Sequence, residues 1–410
     1  MGSAELKPSD MLSFRDEISF QKRLSNRQSS KPSVDEQRPS GSGATVNVYG
    51  ARSQNMPASA YINRIATAVP EHEVHQFYLR FAASMLAADR RRVFERMADL
   101  AGIESRYSCF APALDPEGPS ADLAGTFVRG AFPGTASRMG MFGAAAPVLA
   151  QKGVDALQLG DDASRITHLI VTTCTGFYAP GIDLDLMALC GLSNSIQRTM
   201  IGFMGCYAAI NALKLSRHII RSDPQARVLM VNIELCTMHL QETNELEKLL
   251  SFCLWGDGCA AALVTAEPHG ILLEDFHCIV ATERRHLMTW SIRDDGFEMY
   301  LSGQVPAAIS EALQGSKDAI LGDRPVEAID LWAVHPGGRS VLDSVERALK
   351  LAPSALAKSR EVLRRYGNMS SATFMFVMEE MLKAPSGLLG CGMAFGPGLT
   401  AETMLFQTVS

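Results

Sequence analysis

The apolar positions change texture twice along the chain. Residues 1–56 are rich in Ser, Arg, Gln, Pro and Gly with little apolar periodicity, and read as a disordered leader. Order begins near Ala58, where Ala60–Pro70 reads as a strand closed by proline. Glu71 to Leu100 reads as a helical region carrying Arg90-Arg91-Arg92 and Arg96; a Pro- and Gly-bearing loop follows, then a helix across Met139–Leu157. From Ile166 the pattern settles into strand, helix, strand, helix, strand. Leu169–Thr173 is a buried strand ending at Cys174-Thr175-Gly176, and Ala179-Pro180-Gly181 is a candidate cis-proline corner. Thr199–Phe203 is the next strand. It leads through Met204-Gly205 to Cys206 and an amphipathic helix, with Ile210, Leu213, Leu215, Ile219 and Ile220 set among Lys214, Arg217, His218 and Arg221. Asp223-Pro224 closes that helix, Val228–Ile233 is the strand after it, and the Trp255–Gly258 turn precedes a small-residue strand, Cys259–Val264.

The second half repeats this pattern. Leu331–Gly338 falls on Leu169–Gly176 at an offset of 162 residues. The same offset places Gly367-Asn368 on Gly205-Cys206 and Gly392–Phe395 on Met230–Ile233. One offset therefore aligns strand, turn, helix start and strand together, which is the mark of a duplicated unit. His335 becomes the counterpart of Thr173, and Asn368 of Cys206. Duplicated halves bring Cys206, His335 and Asn368 to strand ends and helix starts that face one centre across a pseudo-dyad. The domain reading is a leader over 1–56, a half carrying the cysteine over 57–268, and a half carrying the histidine and asparagine over 269–410.

Composition narrows the class. At 410 residues, nearly half of them apolar, the chain supports two domains' worth of core, and a net charge of −6 without a basic tract argues against nucleic acid as a partner. No apolar run reaches membrane-spanning length and no signal peptide is present. The nine cysteines show no paired spacing and no Cys/His cluster with zinc spacing. These features predict a cytoplasmic protein with no structural metal and no membrane span.

A cysteine at the start of a helix meets unpaired N–H groups that favour negative charge, so its thiolate is stabilised there. Gly205 before it permits a tight turn and leaves room for a substrate. His335 ends an apolar strand ahead of Pro-Gly-Gly, and Asn368 precedes a helix rich in Phe374, Met375, Phe376 and Val377. Taken singly these are a buried structural cysteine, a structural histidine and an N-cap asparagine. Together on duplicated frames they suit acyl transfer from a thioester to Cys206. His335, as imidazolium, would hold the thiolate and, with Asn368, would donate to an enolate oxygen. A carbanion made by decarboxylation needs no general base, which accounts for the lack of a paired carboxylate. The predicted reaction is a decarboxylative Claisen condensation.

Gly205-Cys206, Trp255-Gly256-Asp257-Gly258, His335-Pro336-Gly337-Gly338, Gly367-Asn368-Met369-Ser370-Ser371-Ala372 and Phe395-Gly396-Pro397-Gly398-Leu399-Thr400 occur in that order. As a set they resemble the signatures of the type III polyketide synthases, the chalcone and stilbene synthase family, from about residue 58 to the end. The resemblance implies an α/β thiolase fold, a five-layered αβαβα sandwich of duplicated halves. It also implies a homodimer and an acyltransferase that extends an acyl-CoA starter with malonyl-CoA by iterative condensation, then cyclises the product to an aromatic or pyrone ring. Cys206 would be the nucleophile, His335 and Asn368 the decarboxylation and oxyanion residues. CoA thioesters would be substrates, so no cofactor is expected.

By the same resemblance the two gatekeeper positions fall on Trp255 and Met299, and cavity positions on Cys174, Thr175, Cys236, His239, Trp290 and Ser370. Each of these residues also reads simply as core packing. Cys174 and Cys236 stand where the plant enzymes have threonine, which looks like the bacterial branch, and Trp290 for a small residue would shrink or reroute the cavity. Ala394 replaces the first glycine of the Gly-Phe-Gly-Pro-Gly loop. The cationic helix that meets CoA matches at Arg96 alone, with Val93 and Leu100 where lysines stand in the family. These departures point to an alkylpyrone, alkylresorcinol or phloroglucinol-like product rather than a chalcone. Rival readings are a ketoacyl-ACP synthase making one extension for fatty-acid synthesis, a catalytically dead scaffold and a hydrolytic cysteine enzyme.

Overall fold

The computed structural model describes residues 58–410, which lie in one compact unit. The leader expected over 1–56 lies outside the described residues. The strands are β1 (Tyr61–Ala68), β2 (His72–Glu73), β3 (Tyr107–Ser108), β4 (His168–Thr173), β5 (Gln197–Gly202), β6 (Val228–Leu235), β7 (Asp257–Thr265), β8 (Gly270–Val280), β9 (Met288–Arg293), β10 (Gly296–Leu301), β11 (Leu331–Val334), β12 (Leu389–Gly396) and β13 (Thr400–Val409). The helices are α1 (His75–Ser84), α2 (Ala88–Leu100), α3 (Thr135–Ala156), α4 (Ile182–Leu189), α5 (Ala208–Ser222), α6 (Leu246–Phe252), α7 (Val305–Leu321), α8 (Arg339–Leu349), α9 (Ala357–Tyr366) and α10 (Ser371–Leu382). The single helical region expected over Glu71–Leu100 is thus two helices, α1 and α2.

Nine strands join in the order β11-β12-β13-β8-β1-β7-β6-β4-β5. The seam between β1 and β8 is only two residue pairs long, Tyr61–Leu272 and Ile62–Ile271. Outward from it the halves run in the same succession, β7-β6-β4 on one side and β13-β12-β11 on the other, each ending in a parallel pair. The duplication is therefore a property of the sheet. Two details differ from the sequence expectation. Leu169 pairs with Leu229 but Leu331 with Gly390, so β12 follows β6 at an offset of 161, because α10 and its exit loop are one residue shorter than α5 and its exit. The second half also lacks a counterpart to β5: the residues at the repeat offset lie in α9.

Helix burial sorts the layers. Every residue of α10 from Ser371 to Met378 is buried, as expected for a helix apolar all round. With the apolar face of α5 it forms a central core that also takes residues from β6 and β7 on one side and from β12 and β13 on the other. α3 and α4 cover the outer face of the first half, and α7 and α8 that of the second. α8 is amphipathic, with Val341, Leu342, Val345 and Leu349 inward. The small residues of β7 permit close approach: a Cβ on Gly153 of α3 would come within 2.8 Å of the Cys259 sulfur. The result is an αβαβα sandwich of five layers.

Candidate active site

β5 ends at Gly202, and the chain turns sharply before α5. Phe203 and Gly205 both adopt positive φ, 58° and 80°. An alanine Cβ at Gly205 would sit 2.4 Å from Cδ of Pro397, and one at Gly396 would sit 2.7 Å from the Tyr207 ring. The Gly396-Pro397-Gly398 loop is therefore pressed directly onto the turn that presents Cys206, which is buried two residues ahead of α5.

His335 stands one residue beyond β11. Its N–H donates to the Met393 carbonyl at 2.8 Å and its carbonyl accepts from Gly337 N–H at 3.0 Å. The imidazole is 1% exposed, and neither ring nitrogen has a hydrogen-bond partner. Buried polar atoms are ordinarily paired, so a bare imidazole facing a cavity marks a place kept for another group.

Asn368 is clasped by the Trp-Gly-Asp-Gly turn. Its N–H donates to the Leu254 carbonyl at 2.6 Å and its carbonyl accepts from Gly256 N–H at 3.0 Å. This contact explains two glycines: a Cβ on Gly256 would lie 2.6 Å from the Tyr366 carbonyl, and one on Gly367 2.6 Å from that of Leu254. The Asn368 side chain accepts from Ser370 N–H at 2.9 Å through Oδ1 and donates from Nδ2 to the Gly337 carbonyl at 3.2 Å. An amide nitrogen carries two protons, so a second donor remains for the cavity. Asn368 is not the N-cap residue of α10; Ser370 takes that place, with φ 49°. Asp257, buried in the same turn, accepts from Thr237 N–H at 2.8 Å and Cys109 N–H at 2.9 Å, pinning the short helix that carries Cys236.

Cys206, His335 and Asn368 line one cavity of about 490 Å³, walled by Trp255, Met299 and Phe395. A second space of about 380 Å³ continues from Cys206 and Asn368, and Cys174, Thr175, Cys236, Trp255, Trp290, Met299 and Ser370 all line it. Trp290 Nε1–H donates to the Cys174 carbonyl at 2.8 Å, and its ring meets that of Trp255 edge-on at 5.4 Å. His239 lies behind this wall, stacked on Phe297 at 4.2 Å; its Nε2–H donates to the Thr175 carbonyl at 2.7 Å while Nδ1 accepts from Phe297 N–H at 3.0 Å. A groove to the surface, lined by Met97, Leu100, Tyr300 and Arg339, shares Ser251, Leu254 and Leu301 with the first cavity. Arg96 is exposed on α2 and lines none of these spaces. The cation at the groove is Arg339, which donates to the Leu100 carbonyl at 3.2 Å.

Burial governs the charges. It pushes the Cys206 thiol up to about 12, against the pull of the Ser370 and Asn368 side chains, and pushes the His335 imidazole down to about 3. The helix start does not by itself make a thiolate: the closed cavity favours a neutral thiol beside a neutral imidazole. Sequence reasoning also passed over Glu234 at the end of β6. It is fully buried and accepts from Cys174 N–H and Thr175 Oγ1–H, both at 2.9 Å, and from Ser371 Oγ–H at 2.6 Å. Burial raises its carboxyl, and these donors hold it down. An acid at Glu234, within a strand that is apolar at every other position but Asn232, was the available signal.

The family model for chalcone and stilbene synthases, N-terminal domain, matches residues 49–268, and that for their C-terminal domain matches residues 278–410. Bisdemethoxycurcumin synthase of Oryza sativa subsp. japonica is 32% identical over 389 residues, covering 88% of this chain and 95% of that protein. The alpha-pyrone synthesis polyketide synthase-like Pks18 of Mycobacterium tuberculosis is 34% identical over 260 residues, 60% of this chain and 66% of that protein. Among solved structures, PKS-I from the brown alga Ectocarpus siliculosus superposes with a TM-score of 0.78 at 27% identity, covering 87% of this chain and 100% of that one. The C-terminal type III polyketide synthase domain of Steely1 from Dictyostelium, with a TM-score of 0.78 at 23% identity over 86% of this chain and 100% of that one, shares the fold. The chain belongs to the chalcone and stilbene synthase family and is a type III polyketide synthase.

Proposed function

We propose that the enzyme loads an acyl group from a CoA thioester onto Cys206 and extends it with malonyl-CoA through His335 and Asn368. As the Cys206 sulfur attacks the thioester carbonyl, neutral His335 takes the thiol proton, the carbon–sulfur bond to CoA breaks, and the departing thiolate recovers that proton. This sequence suits a pair that burial keeps uncharged at rest. Malonyl-CoA then enters the same cavity. Its carbon–carbon bond to the carboxylate breaks, CO₂ leaves, and the electron pair remains as an enolate whose oxygen accepts from the single ring N–H of His335 and the free Asn368 Nδ2–H. The enolate carbon attacks the acyl carbonyl on Cys206 and the thiolate departs, transferring the chain to CoA for another round. CoA thioesters are the substrates and no cofactor is required.

The observation that carries this reading is the unpartnered imidazole of His335 in the same cavity as Cys206 and Asn368. The related enzymes are named for bisdemethoxycurcumin and α-pyrone synthesis, so a pyrone or aromatic product is the class we assign; Trp290 and Met299 narrowing the cavity favour short or linear intermediates. A homodimer and a cytoplasmic location belong to the same reading. Supporting the dimer, β5 is an open sheet edge whose first four residues, Met200 among them, are exposed, with exposed Met204 and Phe177 beside it. Among the described residues no helix is long and apolar enough to cross a membrane. Mass spectrometry of products from a panel of starter CoAs with malonyl-CoA tests the proposal: a cyclised product carrying two or more extender units supports it, and a single extension or free acid without CO₂ release overturns it.

A further inference from the structure

Arg106 lies one residue ahead of β3, 2% exposed, and its guanidinium is spent on neutral groups. Nε–H donates to His75 Nδ1 at 3.1 Å, and Nη1–H donates to the carbonyl of Phe252 at 2.9 Å and to that of Trp255. The guanidinium also stands 4.5 Å over the Tyr78 ring. Phe252 is the last residue of α6, so its carbonyl belongs to the helix end where the dipole favours a cation. Trp255 follows in the turn that clasps the Asn368 peptide. One planar fork therefore ties the end of α6 to the start of the Trp-Gly-Asp-Gly turn.

The stem of the same side chain packs against both peptides of the clasp. A Cβ on Gly256 would lie 3.4 Å from Arg106 Cβ, and one on Gly367 would lie 3.4 Å from Arg106 Cβ and 3.6 Å from its Cδ. Glu104 N–H donates to the Arg364 carbonyl at 2.8 Å and Ser105 Oγ–H to that of Arg365 at 2.7 Å, which holds the segment before Arg106 against the end of α9. Arg106 thus sits beneath Trp255-Gly256 and Gly367-Asn368 without lining the cavity of Cys206, His335 and Asn368. An apolar side chain would fill the same space at a lower desolvation cost. What the guanidinium adds is direction: rigid donors that hold two carbonyls in one geometry.

We infer that Arg106 is a positioning residue for the decarboxylation step: by holding the Trp255 turn it sets where Asn368 presents its free Nδ2–H to the enolate oxygen. This rests on the acyl-transfer reading above and adds to it a residue that touches no substrate.

Arg106→Gln removes the fork, and two partial reactions separate positioning from packing. Loading of Cys206 by a starter acyl-CoA, followed by intact-protein mass spectrometry, should stay within about twofold of wild type. The reason is that His335 is held by Met393 and the Cys206 turn by Pro397, both independent of Arg106. CO₂ release from malonyl-CoA should fall about tenfold or more, because a small displacement of an oxyanion donor is costly. In Asn368→Ala, which already lacks the donor, adding Arg106→Gln should change CO₂ release by less than about twofold. Unaltered CO₂ release, parallel losses of loading and CO₂ release, or a loss that multiplies with that of Asn368→Ala overturns the inference. If Arg106→Gln fails to fold, Arg106→Lys, which keeps the charge but not the fork, is read in its place by the same ratios. Should the wild type neither load nor release CO₂, the acyl-transfer reading fails, and hydrogen exchange then tests Arg106 alone. The Gly256 and Asn368 amides should exchange about tenfold faster in the variant, relative to those of β12, and an unchanged ratio overturns the inference.

Discussion

Replacing Gly205 by alanine puts a methyl carbon 2.4 Å from Cδ of Pro397, about 1 Å closer than ordinary van der Waals contact. The proline ring cannot rotate away, and its loop is held by the packing of Gly396 on the Tyr207 ring and by Tyr207 O–H, which donates to the Pro397 carbonyl at 3.4 Å. The backbone adds a second cost, because φ is 80° and an L-residue there pays about 1–2 kcal/mol. Overpacking of this kind adds about 1–3 kcal/mol. The expected destabilisation is about 3 kcal/mol, a fall in Tm of about 3–5 °C for a chain of this size. Relief requires the Cys206 turn and the Pro397 loop to separate by up to about 1 Å, and a displacement of that size costs about 100-fold in turnover. Thermal melts and product formation measure the two effects. Pro397→Gly in the same chain removes the clashing atom, so the double variant should regain part of the stability and turnover lost in Gly205→Ala, with a coupling of about 1–3 kcal/mol. A Gly205→Ala enzyme that melts and turns over like wild type, or losses that simply add in the double variant, would refute the reasoning.

Two further predictions concern the cavity wall and acid. Trp290→Ala removes the ring that faces Trp255 and the bond to the Cys174 carbonyl; it should cost about 2–4 kcal/mol and shift the product towards longer chains. An unchanged product profile by liquid chromatography and mass spectrometry would reduce Trp290 to packing. Burial holds His335 and His239 down at about 3 and His75 at about 4, against 6.5 unfolded. The unfolded chain therefore binds more protons below pH 6.5, so stability rises with pH through the window between the folded and unfolded values and falls as acid is added. Each such histidine should cost about 2 kcal/mol at pH 5. Glu234 and Asp257, raised by burial, act in the opposite sense, so the clean readout is a difference. Between pH 7 and pH 5, His335→Gln should lose about 2 kcal/mol less stability in urea than wild type does, and an identical loss contradicts the burial argument.

The layers and the meeting of Cys206, His335 and Asn368 in one cavity were legible because both rest on local signals. A strand that ends in Pro-Gly-Gly and a glycine before a helix each fix a side chain's position within a few residues, and the repeat supplied the long-range relation between Cys206 and His335. Contacts between distant segments carried no such mark. Nothing near Gly205 in sequence announces Pro397, nothing in Trp255–Gly258 announces the Asn368 peptide it clasps, and nothing around Glu234 announces its bonds to Cys174, Thr175 and Ser371. The protonation of Cys206 also escaped, since helix-start electrostatics is visible in sequence while the burial that outweighs it is a product of the fold. Arg96 was assigned by alignment to a cationic helix, and α2 turns it outward, leaving Arg339 at the groove. Asn368 reads as a helix cap because an asparagine before a helix usually is one, yet Ser370 takes that place, and the Asn368 side chain bonds Ser370 N–H and the Gly337 carbonyl with one Nδ2 proton left over.

The central claim divides the chemistry between Cys206, which carries the chain, and His335 with Asn368, which make the carbanion. Intact-protein mass spectrometry of Cys206→Ala, paired with CO₂ release from malonyl-CoA, tests that division in one variant. The account predicts that a starter acyl-CoA alone leaves an acyl adduct on the wild type and none on the variant, while the variant continues to release CO₂ and forms no condensed product. An adduct or a condensed product from Cys206→Ala would contradict the account, as would loss of CO₂ release in a variant that melts like wild type.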